Sequence, residues 1–419
     1  MVSVTRRSVL ATLLLAGACA GPRTTPTPDV MGIPVVSAHA ARLYRDAFVI
    51  DTHNDMPTRM LDDAYDASVR HPAGFGRGEG NTDLPRLMES GMTAEFLSAW
   101  VDAPYARRRG DSFARAVRYV EAIREFTAKH PGQLRFATTA ADVRAAKREG
   151  KVAIFIGLEG GHAIEGSVEG LRDLYARGVR YMTLTWNNGN SWAGSSIGAG
   201  GTRKGGLTPF GRDVIQEMNR LGMLVDLSHV SDSTFFDALA VTTVPVIASH
   251  SSARAINDVP RNLSDAQLRA IAKNGGVVNV NFYSRFLDPA FRARAEEVDR
   301  AIARERRALP AGTDSAAART RLGAMRDSLM ARIPPTPFAV LIDHFDHIAK
   351  VAGVDHVGIG SDFDGVTALP VGMEDVTALP RIAQALIDRG YSDDDIRKML
   401  GGNMMRVMTQ VLDRQAALP

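Results

Sequence analysis

Ala47-Phe48-Val49-Ile50-Asp51-Thr52-His53-Asn54-Asp55 sets a short apolar run directly against a cluster of polar, chemistry-bearing side chains. A brief apolar run with no polar alternation reads as a strand buried on both faces, which places the polar residues at its C-terminal end. The arrangement recurs along the chain. Residues 93–100, 152–157, 181–185, 224–228, 246–249, 277–281 and 356–362 are further short apolar runs, each separated from the next by a longer stretch, and with 47–51 they make eight. Strands alternating with helical stretches predict repeated βα units and a mostly parallel sheet. Eight such units predict an α/β fold of the (β/α)8, TIM-like barrel type, whose strand C-terminal ends face one pocket.

One connection departs from that rhythm. Residues 287–337, between the seventh and eighth runs, are far longer than a usual βα link. Arg292-Ala293-Arg294-Ala295-Glu296-Glu297 and residues 316–332 read as charged, Ala-rich helices broken around Pro310-Ala311-Gly312. This helical insertion is expected to be a solvated hairpin, with a lid or a subunit contact, and hence a homodimer, as the alternatives.

The 419 residues are 45% hydrophobic and 23% charged, a composition that buries a large core. The formal net charge is +3, and no basic stripe is interleaved with aromatics, so no nucleic-acid partner is expected. Cys19 is the single cysteine, which excludes an intramolecular disulfide and a cysteine zinc cluster. Any metal must be held by His, Asp and Glu.

Residues 1–20 read as an export signal: Arg6-Arg7 precede an apolar run, 9–18, too short to span a bilayer. Thr5-Arg6-Arg7-Ser8-Val9-Leu10 resembles a twin-arginine signal. Leu15-Ala16-Gly17-Ala18-Cys19 resembles a degenerate lipoprotein box that would anchor the chain to the membrane through a lipid on Cys19, whereas Ala18-Cys19-Ala20 fits cleavage to a soluble periplasmic form. The sequence leaves both open, and the expectation is an exported bacterial protein, periplasmic or a membrane-anchored lipoprotein. Residues 21–40, with Pro22, Pro26, Pro28 and Pro34, read as a tether, and 41–419 as the catalytic barrel.

The polar residues gather at the predicted strand ends. His53 and Asp55 follow the first run, Glu159 the third, His229 the fifth and His250 the sixth, while Asp362 closes the eighth. Three imidazoles and three carboxylates at one end of a barrel are the ligand inventory of a two-metal hydrolase. His53 and Asp55 can share one cation, His229 and His250 another, and Glu159 can bridge the two. Two cations about 3.5–4 Å apart lower the pKa of a shared water toward about 7. The remaining histidines read differently. His39, His71 and His130 occupy loop-like or solvent-facing contexts, His344 and His347 read as packing or hydrogen-bonding residues of a helix over 338–352, and His162 is expected to orient a metal ligand.

Six segments in order then carry a resemblance: Asp51-Thr52-His53-Asn54-Asp55, Gly157-Leu158-Glu159-Gly160-Gly161-His162, Val225-Asp226-Leu227-Ser228-His229, Ser249-His250-Ser251-Ser252-Ala253-Arg254, Val259-Pro260-Arg261-Asn262 and Gly360-Ser361-Asp362-Phe363-Asp364-Gly365. Together, over residues 51–408, the chain resembles the membrane (renal) dipeptidases, the M19 metallopeptidases. The resemblance implies a (β/α)8 barrel holding two zinc ions (Zn2+) and hydrolysing dipeptides, including those with a C-terminal D-residue. It implies His53 and Asp55 on the first zinc, Glu159 as the bridge, and His229 and His250 on the second. It further implies Arg261 on the substrate carboxylate, Tyr283 beside the substrate, and Asp362 as the group that accepts and later donates a proton.

One departure stands out. After Tyr181-Met182-Thr183-Leu184-Thr185, where many members of that family place a histidine thought to support the oxyanion, this chain has Trp186 followed by Asn187-Asn188. Tryptophan donates one hydrogen bond and does not titrate, so either asparagine is expected to take over the donor role, or the donor is lost. Two rival functions remain at this level: a related barrel amidohydrolase acting on N-acyl amino acids or lactams, and a non-enzymatic metal-binding descendant.

Overall fold

The computed structural model describes residues 32–198, 205–310 and 315–414. The export signal and most of the tether lie outside the described residues. The described part contains nine strands: β1 (Ile50–Asn54), β2 (Ala94–Trp100), β3 (Leu134–Phe136), β4 (Val152–Glu159), β5 (Val179–Thr183), β6 (Leu224–Asp226), β7 (Ile247–Ala248), β8 (Val277–Val280) and β9 (Val357–Ile359). They pair in the order β2-β1-β9-β8-β7-β6-β5-β4-β3, all in parallel, and a further β2–β4 ladder closes the ring. The barrel therefore has eight strands, and β3 is extra. It pairs with Val152–Ile154 while β5 takes up the same flank of β4 from Ile156 onward, so the two share one edge end to end.

Strand periodicity explains the two layers of core. Phe96, Phe155, Tyr181, Leu224, Ile247 and Val277 form one cluster inside the ring, with Phe96 stacked on Phe155 at 4.6 Å and on Tyr181 at 5.5 Å. Residues of the opposite parity, such as Leu97, Ile154, Ile156 and Val225, join the layer beneath the helices. Gly157 is required by this packing, since a Cβ there would lie 2.0 Å from the Tyr181 ring.

Each of the eight predicted runs overlaps a barrel strand, but several boundaries move. β1 and β4 continue into His53-Asn54 and Leu158-Glu159, because those residues keep the backbone pairing, as in Trp100 opposite Glu159. The tether was expected to run to residue 40, yet a helix occupies Ala38–Asp46, capped by the Ser37 hydroxyl, and buries Ala40, Leu43 and Tyr44. Between β8 and β9, helices Pro289–Ala308 and Ser315–Met330 lie against each other, with Asp299 of the first paired to Arg326 of the second and with Phe291, Val298 and Leu322 buried. Among the described residues no helix is long and apolar enough to cross a membrane.

Candidate active site

The chemistry-bearing side chains leave the C-terminal ends of five strands. His53 is the penultimate residue of β1 and Asp55 follows that strand, Glu159 ends β4, and His229, His250 and Asp362 stand within three residues of β6, β7 and β9. His229 and Asp362 adopt φ of 66° and 65°, a left-handed conformation costly for residues other than glycine. Such strain of about 1–3 kcal/mol persists where surrounding structure demands it, commonly at functional sites.

The six side chains converge. His53 Nε2 lies 3.4 Å from Asp55 Oδ2 and 3.5 Å from Glu159 Oε2. On the other carboxylate oxygen, Glu159 Oε1 is 2.8 Å from His229 Nε2 and 3.5 Å from His250 Nε2. Those two Nε2 atoms are themselves 2.9 Å apart. Ligand atoms of His53, Glu159 and His250 fall within 4.8 Å of one another, as do those of His53, Asp55 and Asp362.

The opposite ring nitrogens are all engaged, which fixes how the rings face. His53 Nδ1 meets the Tyr181 hydroxyl at 2.7 Å, His229 Nδ1 meets Asn187 Oδ1 at 3.1 Å, and His250 Nδ1 meets Ser249 Oγ at 2.7 Å. Ser249 donates its hydroxyl to Asp226 Oδ2 at 2.6 Å and therefore accepts from His250 Nδ1–H. That leaves the Nε2 lone pair of His250 pointing at Glu159. Thr183 Oγ1 donates to the same Asp226 oxygen at 2.5 Å.

Electrostatics match a cation-binding set. Burial, with Arg261 next, pushes the His229 imidazole down to about 3, and burial with the His53 charge takes His250 well below its ordinary value, so both rings are neutral and ligand-competent. At His53 burial works the same way but loses to the Tyr181 hydroxyl and to the carboxylates of Glu159 and Asp55, and the pKa lies well above the usual imidazole range. Burial would raise Glu159, yet His53 and the bonds from His229 and His250 hold it well below the carboxylate range. Asp362 goes the other way: burial, reinforced by Asp55 and Glu159, holds it well above that range.

The donor set fits divalent metal. His53 Nε2 and Asp55 Oδ1 are buried without a hydrogen-bond partner, and two bare imidazole nitrogens face each other across one carboxylate oxygen. A cation relieves both. Nitrogen and oxygen donors without sulfur suit zinc and similar ions.

A cavity of about 280 Å3 opens over this cluster, lined also by Arg261, Tyr283, Trp100 and Trp186. Arg261 is 3% exposed, and its Nε and Nη1 have no partner, while Nη2 reaches only the His250 carbonyl at 3.4 Å. Burial pulls its guanidinium down to about 10, still charged at neutral pH. Asn281 Nδ2 donates to Asp362 Oδ2 at 2.7 Å. Gly365 is a close approach, since a Cβ there would lie 2.1 Å from Asp55 Oδ2 and 2.5 Å from Asp362 Oδ1. No residue of the two insertion helices lines the cavity.

Every sequence-selected site residue thus faces one cavity or its floor, while His162 does not take the part expected of it. Its Nε2 meets the Val101 carbonyl at 3.0 Å, and it orients no metal-facing side chain. His344 is bonded through both nitrogens to the backbone of Ala253 and Leu287. Sequence reasoning missed Tyr181, Ser249 and Asn281, which hydrogen-bond His53, His250 and Asp362, and Asp226, which holds Ser249. Asp226 had a signal: a charged residue inside the apolar run Leu224-Val225-Asp226-Leu227.

The model of the membrane dipeptidases, peptidase family M19, matches residues 37–419. The chain belongs to that family. Among solved structures it is similar to the probable dipeptidase PvdM from Pseudomonas aeruginosa, at 25% identity and a TM-score of 0.75, covering 90% of this chain and 98% of that one. It is similar at 27% identity to dipeptidase AC, an M19 metallopeptidase, with a TM-score of 0.70 and coverage of 87% and 99%. A metallopeptidase from Rhodobacter sphaeroides, solved with a phosphinate mimic of the dipeptide L-Ala-D-Ala, is 26% identical, with a TM-score of 0.70 and the same coverage, 87% and 99%. As an M19 member the chain is a metal-dependent dipeptidase, a hydrolase acting on dipeptides.

Proposed function

We propose that this M19 dipeptidase works with two zinc ions and accepts dipeptides with a C-terminal D-residue. The observation that carries the metal count is the Glu159 carboxylate, one oxygen of which faces His53 and the other His229 and His250. His53, Asp55 and Glu159 would hold one ion, and Glu159, His229 and His250 the other. When bound, the pair supplies an activated water and positive charge for the carbonyl oxygen.

The protein's own groups do the rest. Asp362, hydrogen-bonded by Asn281, takes a proton from the water as the oxygen bonds to the carbonyl carbon. It returns that proton to the amide nitrogen as the C–N bond breaks, so a carboxylic acid and an amine leave. Arg261, buried with two unpartnered nitrogens, binds the dipeptide carboxylate through parallel hydrogen bonds and sets its distance from the reacting carbonyl. Tyr283 lines the same side of the cavity. The Rhodobacter sphaeroides relative, holding a mimic of L-Ala-D-Ala, supports a D-residue at the carboxylate end.

The test is a panel of L,L and L,D dipeptides given to chelated and zinc-reloaded protein. Hydrolysis of both series should vanish on chelation and return with two equivalents of zinc; turnover by the chelated protein contradicts the reading. The N-terminal address supports export to the periplasm, and the mass of the mature N-terminus distinguishes a lipid on Cys19 from release after Ala20.

A further inference from the structure

The cavity over the metal cluster is uneven, and the unevenness has a direction. Around the ring the strands run β1-β2-β4-β5-β6-β7-β8-β9, so the ends of β7 and β8 lie across from β2 and β4. Arg261 follows β7 and Tyr283 follows β8. Facing them, Trp100 ends β2 opposite Glu159, and Trp186, from the segment after β5, meets it edge to face at 5.1 Å. The carboxylate cluster lies between.

A dipeptide whose carboxylate is on Arg261 and whose amide carbonyl is at the cluster has to extend its amino-terminal residue toward the two tryptophans. Phe75 and Ile197 continue the apolar lining at 36% and 41% exposure, two of the six large hydrophobics left exposed among the described residues. Open apolar side chains gathered at a cavity mouth mark a surface that a ligand covers. Apart from Arg261, no arginine or lysine among the described residues lines the cavity.

We propose that Trp100 and Trp186 form the subsite for the side chain of the dipeptide's amino-terminal residue, and that they select large apolar side chains there. This rests on the dipeptidase reading and on Arg261 holding the carboxylate. Trp186 then acts on specificity: where the family resemblance expects a titratable hydrogen-bonding ring, this chain places an apolar plate. The contact is made by the substrate side chain, so it discriminates among dipeptides.

The experiment measures kcat/KM of the zinc-loaded protein for two series, X-Ala and Ala-X, with X as Gly, Ala, Leu, Phe, Asp and Lys. The expected result is a preference of about ten- to a hundred-fold for Leu or Phe over Gly confined to the X-Ala series. Trp186→Ala should cut that ratio about ten-fold, and Trp186→Phe should keep most of it. Two of the chain's three tryptophans stand here, so a phosphinate mimic of Phe-Ala should change the intrinsic emission more than one of Gly-Ala. An X-Ala series without preference, a preference lying in Ala-X, or a ratio unmoved by Trp186→Ala in a variant with wild-type circular dichroism overturns the proposal. If Trp186→Ala does not fold, Ile197→Ser serves in its place, with a smaller expected loss of the ratio and the same contrary outcome. Failure of the wild-type protein to hydrolyse any member of either series is a different result and sinks the dipeptidase reading itself.

Discussion

Asp226→Asn tests the reasoning about ring orientation, because it changes one atom beneath the metal centre and touches no ligand. Asp226 is fully buried and accepts four hydrogen bonds. Oδ1 takes the backbone N–H of Ser228 at 3.0 Å and of Ser249 at 2.8 Å, and Oδ2 takes the hydroxyls of Thr183 at 2.5 Å and Ser249 at 2.6 Å. Backbone N–H groups cannot turn, so the amide oxygen of an asparagine has to stay on their side and its NH2 has to face the hydroxyls. Ser249 then accepts, its own proton turns to His250 Nδ1, and the imidazole proton moves to Nε2, the atom that faces Glu159. His250 loses the lone pair it needs as a ligand. The expected cost is about 10–100-fold in zinc affinity, the usual size for groups that orient metal-bound histidines. Replacing hydrogen bonds to a charged acceptor by neutral ones also costs about 2 kcal/mol of stability. The assay is a zinc titration against a competing chelator for wild type, Asp226→Asn, Ser249→Ala and the double variant. In the Ser249→Ala background the link is gone, so Asp226→Asn should cost much less. A folded Asp226→Asn protein with wild-type affinity, or an equal loss in both backgrounds, refutes the relay.

Gly157→Ala should drive the Tyr181 ring away from His53, since the new Cβ would lie 2.0 Å from it. A loss of about 1–3 kcal/mol is expected from urea midpoints, together with weaker zinc binding, and unchanged values for both contradict the packing. His344 is fully buried, and burial lowers its pKa from 6.5 to about 4. The unfolded chain therefore binds more protons between those values, so this group's contribution is complete above pH 6.5 and is lost as pH falls toward 4, about 3 kcal/mol in all. Urea melts across that range should show a flatter pH dependence for His344→Leu, and an unaltered slope rules this account of His344 out. Arg261→Lys gives up the parallel pair of hydrogen bonds and should lower kcat/KM about 10–100-fold, mainly through KM. Equal KM values for the two proteins would leave the carboxylate without its proposed partner.

The barrel was legible because buried parallel strands are written as short apolar runs, and the convergence of the polar side chains was legible because polar residues stand at one end of those runs. β3 was not. Leu134-Arg135-Phe136 is three residues long and only completes an edge that β5 leaves free, so its pairing is set by β4 and not by its own pattern. His162 misled because its place just past Glu159 suggests that it orients a metal ligand, whereas the chain turns at Gly160, φ 109°, and sends the ring to the Val101 carbonyl. Tyr181 and Ser249 carried no signal of their own. A tyrosine in an apolar run and a serine before a histidine are ordinary, and only the closed ring brings them to His53 and His250.

The central claim is a shared carboxylate with an ion on either side. Elemental analysis of the zinc-saturated wild type beside Glu159→Gln measures it most directly. The account predicts two zinc ions per wild-type chain, fewer than two in Glu159→Gln, and no dipeptide hydrolysis by the variant. A wild-type chain that saturates at one ion or none, or a Glu159→Gln chain that keeps both ions and its activity, contradicts it.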